Sequence, residues 1–211
     1  MTCIELRNVV KRFDKKVVIN DITYNFEAGN IYGIVGSNGC GKSVLFKLIS
    51  GLMRPTQGSI VVDGVHVGVK GAMPPNVGLL IEHPGFLPNI SGIENLQQLA
   101  SIRNVAKKED IEDALKKVSL YADKDTKVKN YSLGMLQRLG IAQALMERPS
   151  ILLLDEPFNS MDADGVEELR LMIKEYVDAH SATMLVTSHN REDIDVLANI
   201  VISLKNGSFE V

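Results

Sequence analysis

The sequence predicts an α/β fold: a β-rich N-terminal layer, a core sheet, and a helical insertion. Three observations predict it. A strand, a glycine-rich turn and a helix follow one another directly between Asn30 and Leu52. The continuous apolar run Ile151 to Leu154 suits a parallel strand covered on both faces. Between Ile81 and Ile151 the apolar periodicity is wholly helical, so a helical insertion is framed by two strands.

In chain order, Ile4 to Val10, Val17 to Phe26 and Asn30 to Val35 read as strands, β-branched and alternating, with a turn at Glu27-Ala28-Gly29-Asn30. Lys42 to Leu52 is a short apolar-periodic helix closed by Gly51 and Pro55. Strands are next expected at Ser59 to Asp63 and Val77 to Ile81. Ser91-Gly92-Ile93-Glu94 is a capping box that opens a helix from Ile93 to Arg103. Lys108 to Val118 is amphipathic, and Met135 to Glu147 forms a third helix that stops before Pro149. After the strand Ile151 to Asp155, Met161 to Ala179 reads as a covering helix. Ala182 to Ser188, Ile200 to Leu204 and a hairpin arm around Ser208 to Val211 complete the strands.

The chain has 211 residues, which limits it to one domain with at most an inserted subdomain. Lys+Arg 23 against Asp+Glu 26, with no block of like charge, lacks the basic footprint of a nucleic-acid binder, so no nucleic-acid partner is expected. No run approaches the ~20 apolar residues of a membrane-spanning helix, and no signal-peptide core precedes the first strand, so the chain alone is expected neither to cross a membrane nor to leave the cell. Cys3 and Cys40, far apart in sequence, fit a reducing compartment, and the sequons at Asn89 and Asn206 are accordingly accidental.

Gly36-Ser37-Asn38-Gly39-Cys40-Gly41-Lys42-Ser43 matches G-x-x-x-x-G-K-[ST] and sits between a predicted strand and a predicted helix, as that motif requires. Glycines let backbone N–H groups turn inward around phosphate oxygens, and the helix N-terminus adds positive dipole. Lys42 is then expected at the outer phosphates, Ser43 at Mg²⁺, and Val44 beside them in the nucleotide site. The strand Ile151 to Leu154 delivers Asp155 and Glu156 together at its C-terminal end, where ligands of open α/β sheets gather. One carboxylate suits Mg²⁺; a second can orient or deprotonate water and so make a binding site hydrolytic. Alone, such a pair could equally be a solvated strand end.

With these and further motifs in order, the sequence resembles the ATP-binding cassette (ABC) family of P-loop ATPases over nearly its whole length. Tyr131-Ser132-Leu133-Gly134-Met135-Leu136-Gln137-Arg138 resembles the family signature L-S-G-G-Q-x-Q-R, keeping Ser132, Gly134, Gln137 and Arg138 and substituting Leu133 and Met135. Ser132 also reads independently as a helix N-cap. Asn159-Ser160-Met161-Asp162 follows Glu156 at D-loop spacing, and His189 stands where the family has its switch histidine. His66, His83 and His180 lack such company and read as ordinary surface residues. Glu82 occupies the position of the Q-loop glutamine, a departure that adds negative charge near the γ-phosphate while keeping oxygen ligands for Mg²⁺. Phe13 stands where the family stacks an aromatic ring on adenine, and Phe keeps the π-face. Lys11, Arg12, Lys15 and Lys16 around it read either as help in attracting nucleotide or as a solvated turn. Leu80 to Pro88 together with Tyr131 to Met135 is most similar to bacterial exporters of peptide antibiotics and lantibiotics.

The resemblance implies a RecA-like mixed-sheet core with an N-terminal antiparallel layer (1–82 and 149–211) and a helical subdomain (83–148). It implies ATP and Mg²⁺ as ligands, with Ser43, Asp155 and Glu82 at the metal, Glu156 as base, and His189 at the γ-phosphate. It also implies two partners. A second ATP-binding subunit, identical or paralogous, would offer Ser132, Leu133, Gly134 and Met135 to the nucleotide held by 36–44 of the first, with Ser160 and Asp162 in the D-loop. A separate integral-membrane permease would hold the chain to the cytoplasmic face of the cell membrane. An alternative is a soluble ATPase of the same superfamily acting on chromosomes or ribosomes, but Ser91 to Asn130 is too short for a coiled-coil arm and no second cassette follows in tandem. A nucleotide sensor without turnover and a small-molecule kinase fit less well, the first because of Glu156 and His189, the second because of the signature.

Overall fold

A computed structural model describes residues 2–82 and 85–210. Met1, His83, Pro84 and Val211 lie outside the described residues, and with them the reading of His83 as a surface residue and the last position of the C-terminal arm. Alternating apolar residues make positions 2–27 a long hairpin. Strands β1 (Thr2–Phe13) and β2 (Lys16–Glu27) pair antiparallel, with Asp14 at φ 49 in the connecting turn. Both run beyond the predicted limits because their pairing continues past the apolar core, through several register shifts, to Phe13 opposite Lys16. Then come β3 (Ile31–Val35) and α1 (Lys42–Ile49). Helix α1 stops three residues short of Leu52, since Gly51 takes a left-handed φ of 81 after the Ser50 cap.

Strand β4 (Gln57–Val62) pairs antiparallel with β1, and β5 (Val65–His66) pairs with β4, giving a four-stranded sheet in the order β2-β1-β4-β5. Strand β6 (Val77–Leu80) leads into the helices α2 (Gly92–Arg103), α3 (Lys108–Lys117) and α4 (Leu133–Leu145). The Ser91 capping box forms in full, with the Glu94 side chain accepting from Ser91 N–H and the Ser91 hydroxyl from Glu94 N–H. Helix α4 begins two residues earlier than the apolar period indicates, because Ser132 caps it by accepting from Met135 N–H.

Strand β7 (Ile151–Asp155), helix α5 (Ala163–His180), strand β8 (Thr183–Thr187), helix α6 (Arg191–Leu197), and strands β9 (Ile200–Lys205) and β10 (Ser208–Glu210) follow. Helix α6, only seven residues and highly charged, is too short to show a period and was not expected from the sequence. The second sheet has the order β10-β9-β3-β8-β7-β6, parallel throughout except for the β9/β10 hairpin. It is the mixed α/β sheet that the sequence predicts.

Two cores flank this sheet, and β7 shows how. Ile151 and Leu153 point into the core shared with α1 and the antiparallel layer, while Leu152 and Leu154 point into the core shared with α2 to α6. A strand buried on both faces must read as an unbroken apolar run, which is what Ile151 to Leu154 is. The layers leave the C-terminal ends of β3, β6 and β7 and the start of α1 on one rim.

Candidate functional site

At that rim β3 ends and 36–41 turn back into α1. Gly36 has no room for a side chain: a Cβ there would lie 2.3 Å from the Leu204 carbonyl oxygen and 2.7 Å from Cys40 Sγ. Gly41 caps α1 at φ 116, a left-handed conformation that glycine adopts without strain. No side chain caps α1 and its first turn holds no acid. The first N–H groups of the helix are therefore open to an anion.

A cavity of about 550 Å³ opens over this helix start, lined by Asn38, Gly39, Gly41, Lys42, Ser43 and Val44 on one side and by Glu82, Asp155 and Glu156 on the other. Gly36, Ser37 and Cys40 shape the loop from behind without lining the cavity. Lys42 Nζ donates to the carbonyls of Gly36 (2.8 Å) and Ser37 (3.4 Å), so its side chain is folded across the loop.

Asp155 is buried and accepts from Thr187 Oγ1 at 2.6 Å. Glu156 sits at φ 51, unfavourable for a residue with a Cβ, and hydrogen bonds hold it there. Its N–H donates to Thr187 Oγ1 (3.0 Å) and Thr187 O (3.2 Å), and its carbonyl accepts from Gln137 Nε2 (3.0 Å) and Asn159 N–H (3.3 Å). Its Oε2 accepts from His189 N–H at 3.0 Å and lies 2.8 Å from His189 Nδ1. A carboxylate can only accept, so Nδ1 carries a proton and donates it.

The loop bearing His189 is anchored from below. Asp193 accepts from Ser188 Oγ (2.5 Å) and from Arg170 Nε (2.9 Å), with Asp193 and Arg170 both buried. Ser188 Oγ in turn accepts from Asn190 N–H, and Arg170 also pairs with Glu192. Burial works against the charge of Arg170, but hydrogen bonds to Asp193 and Glu192 outweigh it and hold its pKa above the ordinary value.

Glu82 follows β6 at φ 59 and its Oε1 lies 2.5 Å from Lys47 Nζ on α1. Phe13 is exposed at the end of β1 with Lys11 Nζ 5.0 Å from its ring centroid, and it is Val18, not Phe13, that lines the cavity. Lys11 itself donates to the Arg54 carbonyl.

Ser132, Leu133, Gly134 and Met135 lie at the start of α4, away from the cavity lining. Ser132 and Leu133 are exposed. Asp162 caps α5 by accepting from Gly165 N–H. Ser160, at φ 65, brings its carbonyl against Gly134, where a Cβ would stand 3.3 Å away. His66 is exposed on β5, and His180 stacks on Tyr176.

The sequence reading missed Lys47, Thr187 and Val18, whose types carry no chemical signal by themselves, and it placed Asn159 in the D-loop without tying it to the cavity lining. Gln137 was visible as a kept signature position, but nothing in the sequence ties it to the Glu156 carbonyl. Among the described residues no cluster of three His, Cys, Asp or Glu could hold a metal by protein ligands alone. The oxygen donors Ser43, Asp155 and Glu82, which all line the cavity, instead suit Mg²⁺, which takes a few protein oxygens and completes its shell with phosphates and water.

Residues 19–159 match the family model described as ABC transporter. The uncharacterized ABC transporter ATP-binding protein YybJ of Bacillus subtilis (strain 168) is 42% identical over 208 residues, covering 98% of this chain and 94% of that protein. The bacitracin transport ATP-binding protein BcrA of Enterococcus faecalis is 37% identical, covering 97% and 67%. The lantibiotic transport ATP-binding protein SrtF of Streptococcus pyogenes is 33% identical, covering 94% and 85%. Among solved structures, a dimeric bacterial ABC transporter cassette superposes with a TM-score of 0.90 at 22% identity, covering 99% of this chain and 97% of that one.

Proposed function

The chain belongs to the ABC transporter family as an ATP-binding, ATP-hydrolysing subunit, and on that premise we propose that it works as half of a dimer that closes on two ATP molecules and drives a separate membrane permease. The observation that carries this reading is Glu156, fixed at the cavity by its backbone bonds and by His189.

Residues 36–44 hold the phosphates of one ATP through backbone N–H groups and the dipole of α1, with Lys42 leaving its loop carbonyls for the outer phosphates. Ser43, Asp155 and Glu82 would hold Mg²⁺, which when bound neutralises phosphate charge and fixes the polyphosphate in line for displacement. Glu156 takes a proton from water as the water oxygen bonds to the γ-phosphorus and the bond to the β-phosphate oxygen breaks, giving ADP and phosphate. His189, bonded to Glu156 through Nδ1, would stand beside the attacking water and the γ-phosphate.

Ser132, Leu133, Gly134 and Met135 offer the start of α4 to the nucleotide of the partner, with Ser160 and Asp162 at the seam. A dimeric post-hydrolysis cassette bound to ADP and Pi, 22% identical to this chain, shares the fold such an arrangement uses. Phe13 and Val18 flank the base. Opening of the dimer after hydrolysis moves the helical subdomain (83–148), and the segment from Glu82 to Ser91 passes that motion to the permease. No helix of the described residues is long and apolar enough to cross a membrane, and the permease would hold the chain at the cytoplasmic face. The bacitracin and lantibiotic transport relatives support export of peptide antibiotics.

The test is isolation of the chain from native membranes in mild detergent. A polytopic partner is expected with it, together with ATPase activity; a chain that stays soluble and alone refutes the transport role.

A further inference from the structure

Three carboxylates, Glu82, Asp155 and Glu156, line the cavity against one ammonium, Lys42. A polyphosphate entering there meets like charge; hydrogen bonds only position these carboxylates, whereas a neighbouring cation offsets their charge. Asp155 is engaged by Thr187 and Glu156 by His189. Glu82 is engaged by Lys47, whose ammonium lies 2.5 Å from Oε1 and whose side chain is only 28% exposed, low for a residue that normally extends into water. Lys47 stands in the last turn of α1, so its charge also complements the C-terminal end of the helix dipole. Glu82 leaves β6 in a left-handed conformation, so a backbone turn and an ion pair together fix where its carboxylate stands.

We propose that Lys47 is a positioning residue for Glu82: it supplies the counter-charge that allows a carboxylate to stand beside bound phosphates, and it holds that carboxylate against α1 until a divalent cation competes for it. The inference rests on the ATP-binding reading above. It explains how Glu occupies a position where an uncharged glutamine would repel nothing.

The test compares four forms of the full chain, wild type, Lys47→Met, Glu82→Gln and the double variant, by titration with a fluorescent ATP analogue in EDTA and again in Mg²⁺. In EDTA, Lys47→Met weakens binding roughly fivefold, a charge effect discounted for the 60% exposure of the Glu82 side chain. Mg²⁺ recovers most of that loss, because the cation then neutralises Glu82. In the Glu82→Gln background the same substitution changes binding by less than about twofold. Equal losses in both backgrounds, or no loss in either, overturn the proposal and leave Lys47 a helix residue. Lys47→Gln is read in the same comparison where Lys47→Met gives no folded chain. A wild-type chain that binds no ATP even in Mg²⁺ overturns the proposed function, and this inference with it.

Discussion

His189 donates twice to one oxygen of Glu156, through its backbone N–H at 3.0 Å and its ring Nδ1 at 2.8 Å. A single residue thereby fixes the position of the carboxylate. The geometry suits a general base, because Oε2 is held in place while the carboxylate stays at the cavity surface.

Glu156→Gln separates binding from turnover. The amide oxygen can still accept from His189, so the loop conformation persists, but an amide takes no proton from water. ATP affinity should stay within a few-fold of wild type while phosphate release falls by about 10²-fold or more, the usual contribution of a positioned base. Equilibrium binding and steady-state phosphate release, measured on the same preparation, check this; near-normal turnover would remove Glu156 from its role.

Thr187→Val tests the pin beneath both carboxylates. The Thr187 hydroxyl donates to Asp155 and accepts from Glu156 N–H. Valine keeps the volume and leaves a buried carboxylate short of a donor, at a cost of about 1–3 kcal/mol. Urea unfolding should show the loss of stability, and turnover should fall as well, since Glu156 loses one of the bonds that hold it at φ 51.

Gly36→Ala addresses the loop itself. The added Cβ meets the Leu204 carbonyl at 2.3 Å and Cys40 Sγ at 2.7 Å, and the carbonyl belongs to a β9 strand that cannot give way. The loop must shift outward, so ATP binding should weaken at least tenfold while the far-UV circular dichroism spectrum stays unchanged. Unaltered affinity would show that the loop tolerates displacement.

Much of this site is legible in sequence because its chemistry demands particular residues at fixed spacing. The run 36–43 and the pair Asp155-Glu156 are local, and a buried parallel strand announces itself as Ile151 to Leu154. What stays hidden depends on register between distant strands. Thr187 reaches Asp155 only because β7 and β8 pair in parallel with Asp155 opposite Thr187. Lys47 meets Glu82 across 35 positions of sequence, a pairing with no periodic trace. Helix α6 fails for another reason, since seven residues carry fewer than two full repeats of a helical period.

Arg170 and Asp193 give the last prediction, in which stability and activity should part. Both are buried, Asp193 binds Ser188 as well, and His189 is the next residue along. Arg170→Met strands a buried carboxylate and should cost about 3–5 kcal/mol by urea unfolding. Adding Asp193→Leu removes that stranded charge, so the double variant should recover most of the lost stability, as apolar replacements of buried pairs often do. Turnover should not recover, because Ser188 has lost its partner and the loop no longer presents His189 to Glu156. A double variant with restored stability and restored turnover would mean that the pair serves the fold alone; restored stability with lost turnover places it beneath the catalytic loop.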